Sequence, residues 1–239
     1  ARSIVVLLAA IMAPVSLWPL GCALADTEIP VKRYTALDVE EVQAYLGIPY
    51  AKPPVADLRW QPAQRLTASA QAIDATQYGP SCMQPVRANQ PALDMSEDCL
   101  TLNIWRPKQS KIKASLPVMV WIHGGGFVGG NGQLPGEILA KEGVVLVSLN
   151  YRLGALGFFA HPATGQSVAN FGLTDVVEAL QWVNRNIADF GGDKDNITVF
   201  GVSAGGMMVN LLLASRQNQG LFHKAIAQSG YITCLLYTS

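Results

Sequence analysis

The sequence carries no surplus of charge: 17 Lys and Arg match 17 Asp and Glu over 239 residues. No run of either sign occurs, which removes both the basic footprint that nucleic acid requires and the polybasic stretch that an anionic membrane attracts. Internal repeats and low-complexity tracts are also missing, so neither a solenoid nor a disordered tail is expected. Histidine is scarce, at three residues, and no Asp or Glu follows Ser203. What is present is apolar material, 50% of the chain, enough for one large core or two small ones. No cofactor is expected, and small neutral molecules are the default partners.

Charge is absent altogether from Ile4 to Ala25, between Arg2 and Asp26. Ala23-Leu24-Ala25 has the small-x-small form that signal peptidase cleaves, so residues 1–25 are read as an export signal and the protein as secreted or periplasmic. The run is long enough for a bilayer, but Pro14, Pro19 and Gly21 interrupt it, and no stable membrane span is expected. Leu20-Gly21-Cys22 has some likeness to a lipoprotein cleavage box, with Pro19 where Leu is wanted. Export permits disulfides. Cys22 leaves with the signal, and Cys82 and Cys99 are then the natural pair, closing a loop of about 18 residues worth about 3 kcal/mol. Two free buried thiols are the alternative. Cys234 has no partner left.

Strands are expected at Gln43–Tyr50, Thr101–Trp105, Pro117–Ile122, Gly143–Leu149, Asn196–Val202 and Lys224–Gln228. The continuous apolarity of the later ones points to a sheet covered on both faces. Val176, Leu180, Val183 and Ile187 recur at helical spacing, with Asp175 near the start and Gly191-Gly192 past the end as capping signals. Strands alternating with helices imply an α/β fold with a mostly parallel central sheet. Asn196-Ile197-Thr198 is a glycosylation sequon, but it opens a predicted buried strand and is read as incidental.

Two segments carry chemistry. Gly201-Val202-Ser203-Ala204-Gly205 joins a buried strand to the helix containing Met207, Leu211 and Leu212, the setting of a nucleophile elbow. A strained turn lifts the serine hydroxyl above the sheet, and glycines at 201 and 205 leave room for it. The helix beginning there aims its positive end at any anion that forms. His123-Gly124-Gly125-Gly126-Phe127 follows a second strand and bares backbone amides, while lacking the Lys-Ser/Thr of a phosphate-binding loop. Ser203 is the candidate nucleophile, with the amides of Gly125, Gly126 and Ala204 as a three-donor oxyanion hole.

These segments resemble the type-B carboxylesterases, which include the cholinesterases. The likeness runs in order through Gly47-Ile48-Pro49-Tyr50-Ala51, Leu58-Arg59-Trp60, Ser96-Glu97-Asp98-Cys99-Leu100, the His-Gly-Gly-Gly loop, Asn150-Tyr151-Arg152-Leu153-Gly154, Asn170-Phe171-Gly172-Leu173 with Asp175, the elbow, and Ala227-Gln228-Ser229-Gly230. It implies the α/β-hydrolase fold and a serine esterase working through an acyl-enzyme. It also implies a Cys82–Cys99 disulfide and ion pairs Arg59–Glu97 and Arg152–Asp175 that hold loops. A hormone-sensitive-lipase-like esterase and a non-catalytic adhesion or binding protein on the same scaffold are the alternatives. The former lacks the Ser-Glu-Asp-Cys-Leu and Gly-Ile-Pro-Tyr-Ala segments; the latter typically loses the serine.

Three departures qualify the resemblance. Val202 stands where the family has Glu, and Asn89 where cholinesterases have the Trp that stacks on choline. Neutral esters are therefore the expected substrates. The triad order is Ser, then Asp or Glu, then His, yet no acid follows Ser203, and His223 is read as a surface or helix-end residue. Residues 26–233 are accordingly expected to be the N-terminal part of a catalytic domain whose C-terminal half is missing, inactive by itself. Residues 234–239 are read as a non-native ending.

Overall fold

The computed structural model describes residues 34–66, 72–86, 92–108, 115–162 and 169–231. The export signal with Cys22, the position of Asn89, and the tail 234–239 with Cys234 lie outside the described residues.

Among the described residues there are ten strands: β1 Tyr34–Val39, β2 Val42–Pro49, β3 Ile73–Ala75, β4 Ser81–Cys82, β5 Met95–Ser96, β6 Thr101–Pro107, β7 Leu116–Ile122, β8 Val145–Leu149, β9 Gly192–Val202 and β10 Lys224–Gln228. Helices α1 Glu137–Ala140, α2 Gly154–Phe158, α3 Phe171–Asn186 and α4 Ala204–Ala214 connect them. Eight strands make one sheet in the order β10-β9-β7-β8-β6-β2-β1-β3, with β4 and β5 as a separate parallel pair. The β10-β9-β7-β8 half is parallel, as crossover helices dictate, while the β8-β6, β6-β2 and β2-β1 pairs are antiparallel and β3 joins β1 in parallel. This is the mostly parallel sheet flanked by helices that the alternation of elements implies.

The core forms where β-branched and leucine side chains meet. Val145, Val147 and Leu149 of β8, Val118, Val120 and Ile122 of β7, and Ile197 and Val199 of β9 are all fully buried in one cluster. Val176, Ala179, Leu180 and Val183 of α3 and Met208, Val209 and Leu212 of α4 complete it. Each fully buried Val, Leu or Ile contributes roughly 1.5–3 kcal/mol of transfer free energy, so this cluster dominates stability. A smaller cluster on the other face holds Val42, Ala44, Leu46, Trp105, Ala140 and Leu146.

One local expectation is corrected. Asp175 does not cap α3: Asn170 occupies the N-cap, one turn earlier, and the carboxylate turns inward, fully buried, to Arg152. Lys224–Gln228 is the expected strand, and as the outermost strand of the sheet its residues are exposed. Among the described residues no helix is long and apolar enough to cross a membrane.

Candidate active site

The elbow begins where β9 ends. Ser203 adopts φ 56° and ψ −123°, a backbone region that costs an L-residue roughly 1–3 kcal/mol and persists only when its surroundings enforce it. The enforcement is main-chain packing. A Cβ at Gly201 would stand 2.7 Å from the Ile122 carbonyl oxygen, and one at Gly205 only 2.1 Å from that same atom. Gly206 leaves 2.7 Å to the carbonyl oxygen of Gln228 on β10. The Ser203 amide donates to that Gln228 carbonyl at 2.9 Å, and the Met207 amide closes the first turn onto the Ser203 carbonyl at 2.9 Å.

Ser203 occupies the N-cap of α4, a position where serine ordinarily accepts a bond from the first turn, yet its side chain makes no capping bond. The residue is exposed, while Ala204 behind it is buried. The hydroxyl is therefore spared local backbone work and presented outward at the end of a helix whose first amides are free.

The glycine loop lies directly against this serine. A Cβ on Gly124 would come within 2.6 Å of the Val202 carbonyl oxygen and 3.4 Å of the Ser203 Cβ. Gly125 at φ 110° and Gly126 at φ 63° take left-handed conformations, and Phe127 follows at φ 62°. Their carbonyls and later amides are spoken for: Val128 and Gly129 both donate to the Gly125 carbonyl at 3.1 Å, and Gly154 donates to that of Phe127 at 2.7 Å. The amides of Gly125, Gly126 and Ala204 donate to no protein acceptor among the described residues. Free amides on a loop and at a helix end, beside an exposed serine, are the kind of donors that can bind an oxygen that gains negative charge.

His123 supports the loop from beneath. Its ring stacks on Tyr151, 4.3 Å between centroids at 16°, and Nδ1 lies 2.8 Å from the Gly124 carbonyl. A carbonyl only accepts, so Nδ1 carries the proton. Tyr151 donates its hydroxyl to the His123 carbonyl at 2.8 Å. Burial pushes the imidazole down to about 4, so it is neutral and holds one tautomer. Its ring is committed to the loop, not to Ser203. His161 stacks on Phe159. His223 accepts the Ile197 amide through Nδ1 at 3.2 Å, at the start of β10, whereas Ser203 follows the opposite ends of β9 and β10.

A cleft of about 480 Å³ opens over Ser203, lined by Gln84, Val86, Leu93, Met95 and Val202 together with the glycine loop. Its lining among the described residues carries no charged side chain. One wall is the loop closed by the Cys82–Cys99 disulfide, whose Cα atoms are 5.0 Å apart. Arg59 pairs with Glu97 in that loop through two bonds of 2.5 and 2.7 Å. Arg152 and Asp175, 3% and 0% exposed, form a two-bond pair at 2.6 and 2.9 Å, and the Arg152 amide adds a third bond at 3.0 Å. Burial raises the Asp175 carboxyl and Arg152 offsets part of that shift. Among the described residues no group of His, Cys, Asp and Glu could hold a metal ion.

The structure thus puts Ser203 and Gly125 on one cleft, with Ala204 following the serine and Gly126 following Gly125 in the chain, and joins Cys82 to Cys99. Sequence reasoning missed Gln84 and the supporting ring of Tyr151. Tyr151 lay in a segment that drew notice only for its neighbours, and no motif marks Gln84.

The sequence profile of the Carboxylesterase family matches residues 31–239. Fumonisin B1 esterase of Sphingopyxis macrogoltabida is 47% identical over 199 residues, 79% of this chain and 37% of that protein. A cholinesterase of Mus musculus is 46% identical over 203 residues, 79% of this chain and 33% of its own length. The chain therefore spans about a third of the length of these curated relatives. A solved thermophilic PNB esterase superposes with a TM-score of 0.76 at 43% identity, over 82% of this chain and 42% of that one.

Proposed function

The chain belongs to the carboxylesterase family, and from that premise we propose that the whole protein hydrolyses carboxylic esters through an acyl-enzyme on Ser203. The Ser203 hydroxyl attacks the ester carbon and the alcohol leaves; water then releases the acid and restores the serine. The oxyanion of each tetrahedral stage is held by the amides of Gly125, Gly126 and Ala204. The observation that carries this reading is the pairing of a backbone-strained, uncapped, exposed serine with unengaged amides of a glycine loop packed against it. The general base and its carboxylate are assigned to residues beyond this chain, since its three histidines are otherwise occupied.

The uncharged cleft lining and Val202 beside the nucleophile support neutral esters as substrates. Among the described lining residues there is no carboxylate to attract a cationic group. The Cys82–Cys99 bond and the uncharged N-terminal run support export to an oxidising compartment. The test is Ser203→Ala in the complete protein: p-nitrophenyl butyrate hydrolysis should vanish with the fold intact, and undiminished hydrolysis would overturn the assignment. A higher kcat/KM for a cationic ester than for its neutral isostere would overturn the substrate class.

A further inference from the structure

Five of the seven residues from Gly124 to Gly130 are glycine. Such a loop has large backbone freedom to lose, and its two free amides can serve an oxyanion only if something outside the loop holds it. At its near end His123 and Tyr151 do so. At its far end the anchor is a single side chain 46 residues away in sequence. Gln84 donates through Nε2 to the Gly130 carbonyl at 2.8 Å and accepts the Gly130 amide on Oε1 at 2.8 Å, satisfying both backbone groups of one residue as a neighbouring strand would. Nε2 also donates to the Cys82 carbonyl at 3.1 Å.

Gly130 cannot shift independently of the loop's other end. It sits at φ 117°, and a Cβ there would lie 2.5 Å from His123 Nδ1 and 2.6 Å from the Gly124 carbonyl oxygen. Fixing Gly130 therefore fixes the ring and carbonyl that set Gly124, and through them the amides that follow. A second strap, Asn131 Nδ2 to Ser81 Oγ at 3.2 Å, joins the residues next in the chain to Gly130 and Cys82.

We propose that Gln84 is a positioning residue, coupling the disulfide-closed loop to the glycine loop so that the Cys82–Cys99 bond helps to hold the Gly125 and Gly126 amides against Ser203. The proposal rests on the oxyanion-hole reading above. Gln84 acts through Gly130 rather than on the ester. Its loss weakens transition-state binding while leaving ground-state binding nearly unchanged. Breaking the disulfide acts through the same side chain, so the two losses do not multiply.

The experiment is a double-mutant cycle in the complete enzyme, combining Gln84→Met with Cys82→Ser/Cys99→Ser. Gln84→Met should lower kcat on the order of tenfold with KM within about twofold, since displacement of catalytic groups by a fraction of an ångström suffices for that. Affinity for a trifluoromethyl ketone, whose serine adduct presents an oxyanion, should fall in parallel. In the Gln84→Met background the cysteine replacements should add little further loss of kcat. A change in KM alone, or losses that multiply in full, overturns the proposal. Gln84→Glu keeps the acceptor for the Gly130 amide but sets a carboxylate oxygen against the Gly130 and Cys82 carbonyls; it should lose at least as much kcat as Gln84→Met, and provides the same test if Gln84→Met does not fold. Hydrogen exchange across Gly124–Gly130 requires no activity: exchange on the order of tenfold faster in either variant is expected, and unchanged exchange contradicts the coupling. If Ser203→Ala retained hydrolysis, the catalytic reading would fall, while this exchange result would still decide whether Gln84 holds the loop.

Discussion

At the elbow an added Cβ on Gly205 would lie 2.1 Å from a backbone oxygen, whereas on Gly126, across the cleft in the glycine loop, it would meet nothing nearer than 3.9 Å. The elbow is wedged between β7 and β10 by main chain on main chain. The loop is as tight at Gly125, where a Cβ would stand 1.9 Å from the Gly129 carbonyl oxygen, but it is open at Gly126 and takes further bonds from the side chains of Gln84, His123 and Tyr151. A turn fixed by backbone packing tolerates no side chain and has one geometry. A loop that also depends on side-chain hydrogen bonds, and is open at one glycine, can be loosened one bond at a time.

The comparison is broken most severely at Gly205. Gly205→Ala should cost about 3 kcal/mol or more, because backbone atoms of β7 cannot move aside as a flexible side chain could. Denaturant unfolding measures this, and a loss below 1 kcal/mol would show that the wedge yields. Next is acid. His123 titrates near 4 in the folded chain and near 6.5 in the unfolded one, so between these values only the unfolded chain takes up the proton. Stability present above pH 6.5 is lost as pH falls toward 4, by up to about 3 kcal/mol. A His123→Gln variant should lack that component of the slope; identical pH profiles would place the effect elsewhere.

Smaller effects sharpen the contrast. Ser203→Gly should raise stability by about 1 kcal/mol, since relief of the strained φ and ψ outweighs glycine's extra unfolded freedom. A lower melting temperature would mean that the serine side chain stabilises the turn after all. Gly126→Ala should cost only about 1 kcal/mol, the left-handed penalty without a clash, visible as a small drop in melting temperature. A cost equal to that of Gly205→Ala would erase the distinction between the two turns.

The same distinction explains what could be read in advance. The six strands expected from apolar runs are present, with α3 and α4, because these elements are stabilised by their own periodic side chains. The elbow was legible for a related reason: close backbone packing demands glycine at fixed offsets, and that demand is written locally. β1 was not anticipated; Tyr34–Val39 is a sheet strand by pairing with β2 and β3, and all five residues after Tyr34 remain partly or fully exposed. The strand expected from Asn196 begins four residues earlier, at Gly192, where Leu116 pairs with it across the register shift. Asp175 was placed correctly with Arg152 by family likeness, while its position near a helix start had suggested a cap. Gln84 was invisible because its partner is 46 residues away and is a backbone, which leaves no complementary residue type to notice.

The most direct measurement is mass spectrometry of the complete protein after reaction with a fluorophosphonate, with Ser203→Ala as control. One adduct per chain, mapped to Ser203 and absent from the control, is the predicted result. An adduct on any other residue, or equal labelling of the control, would contradict Ser203 as the nucleophile.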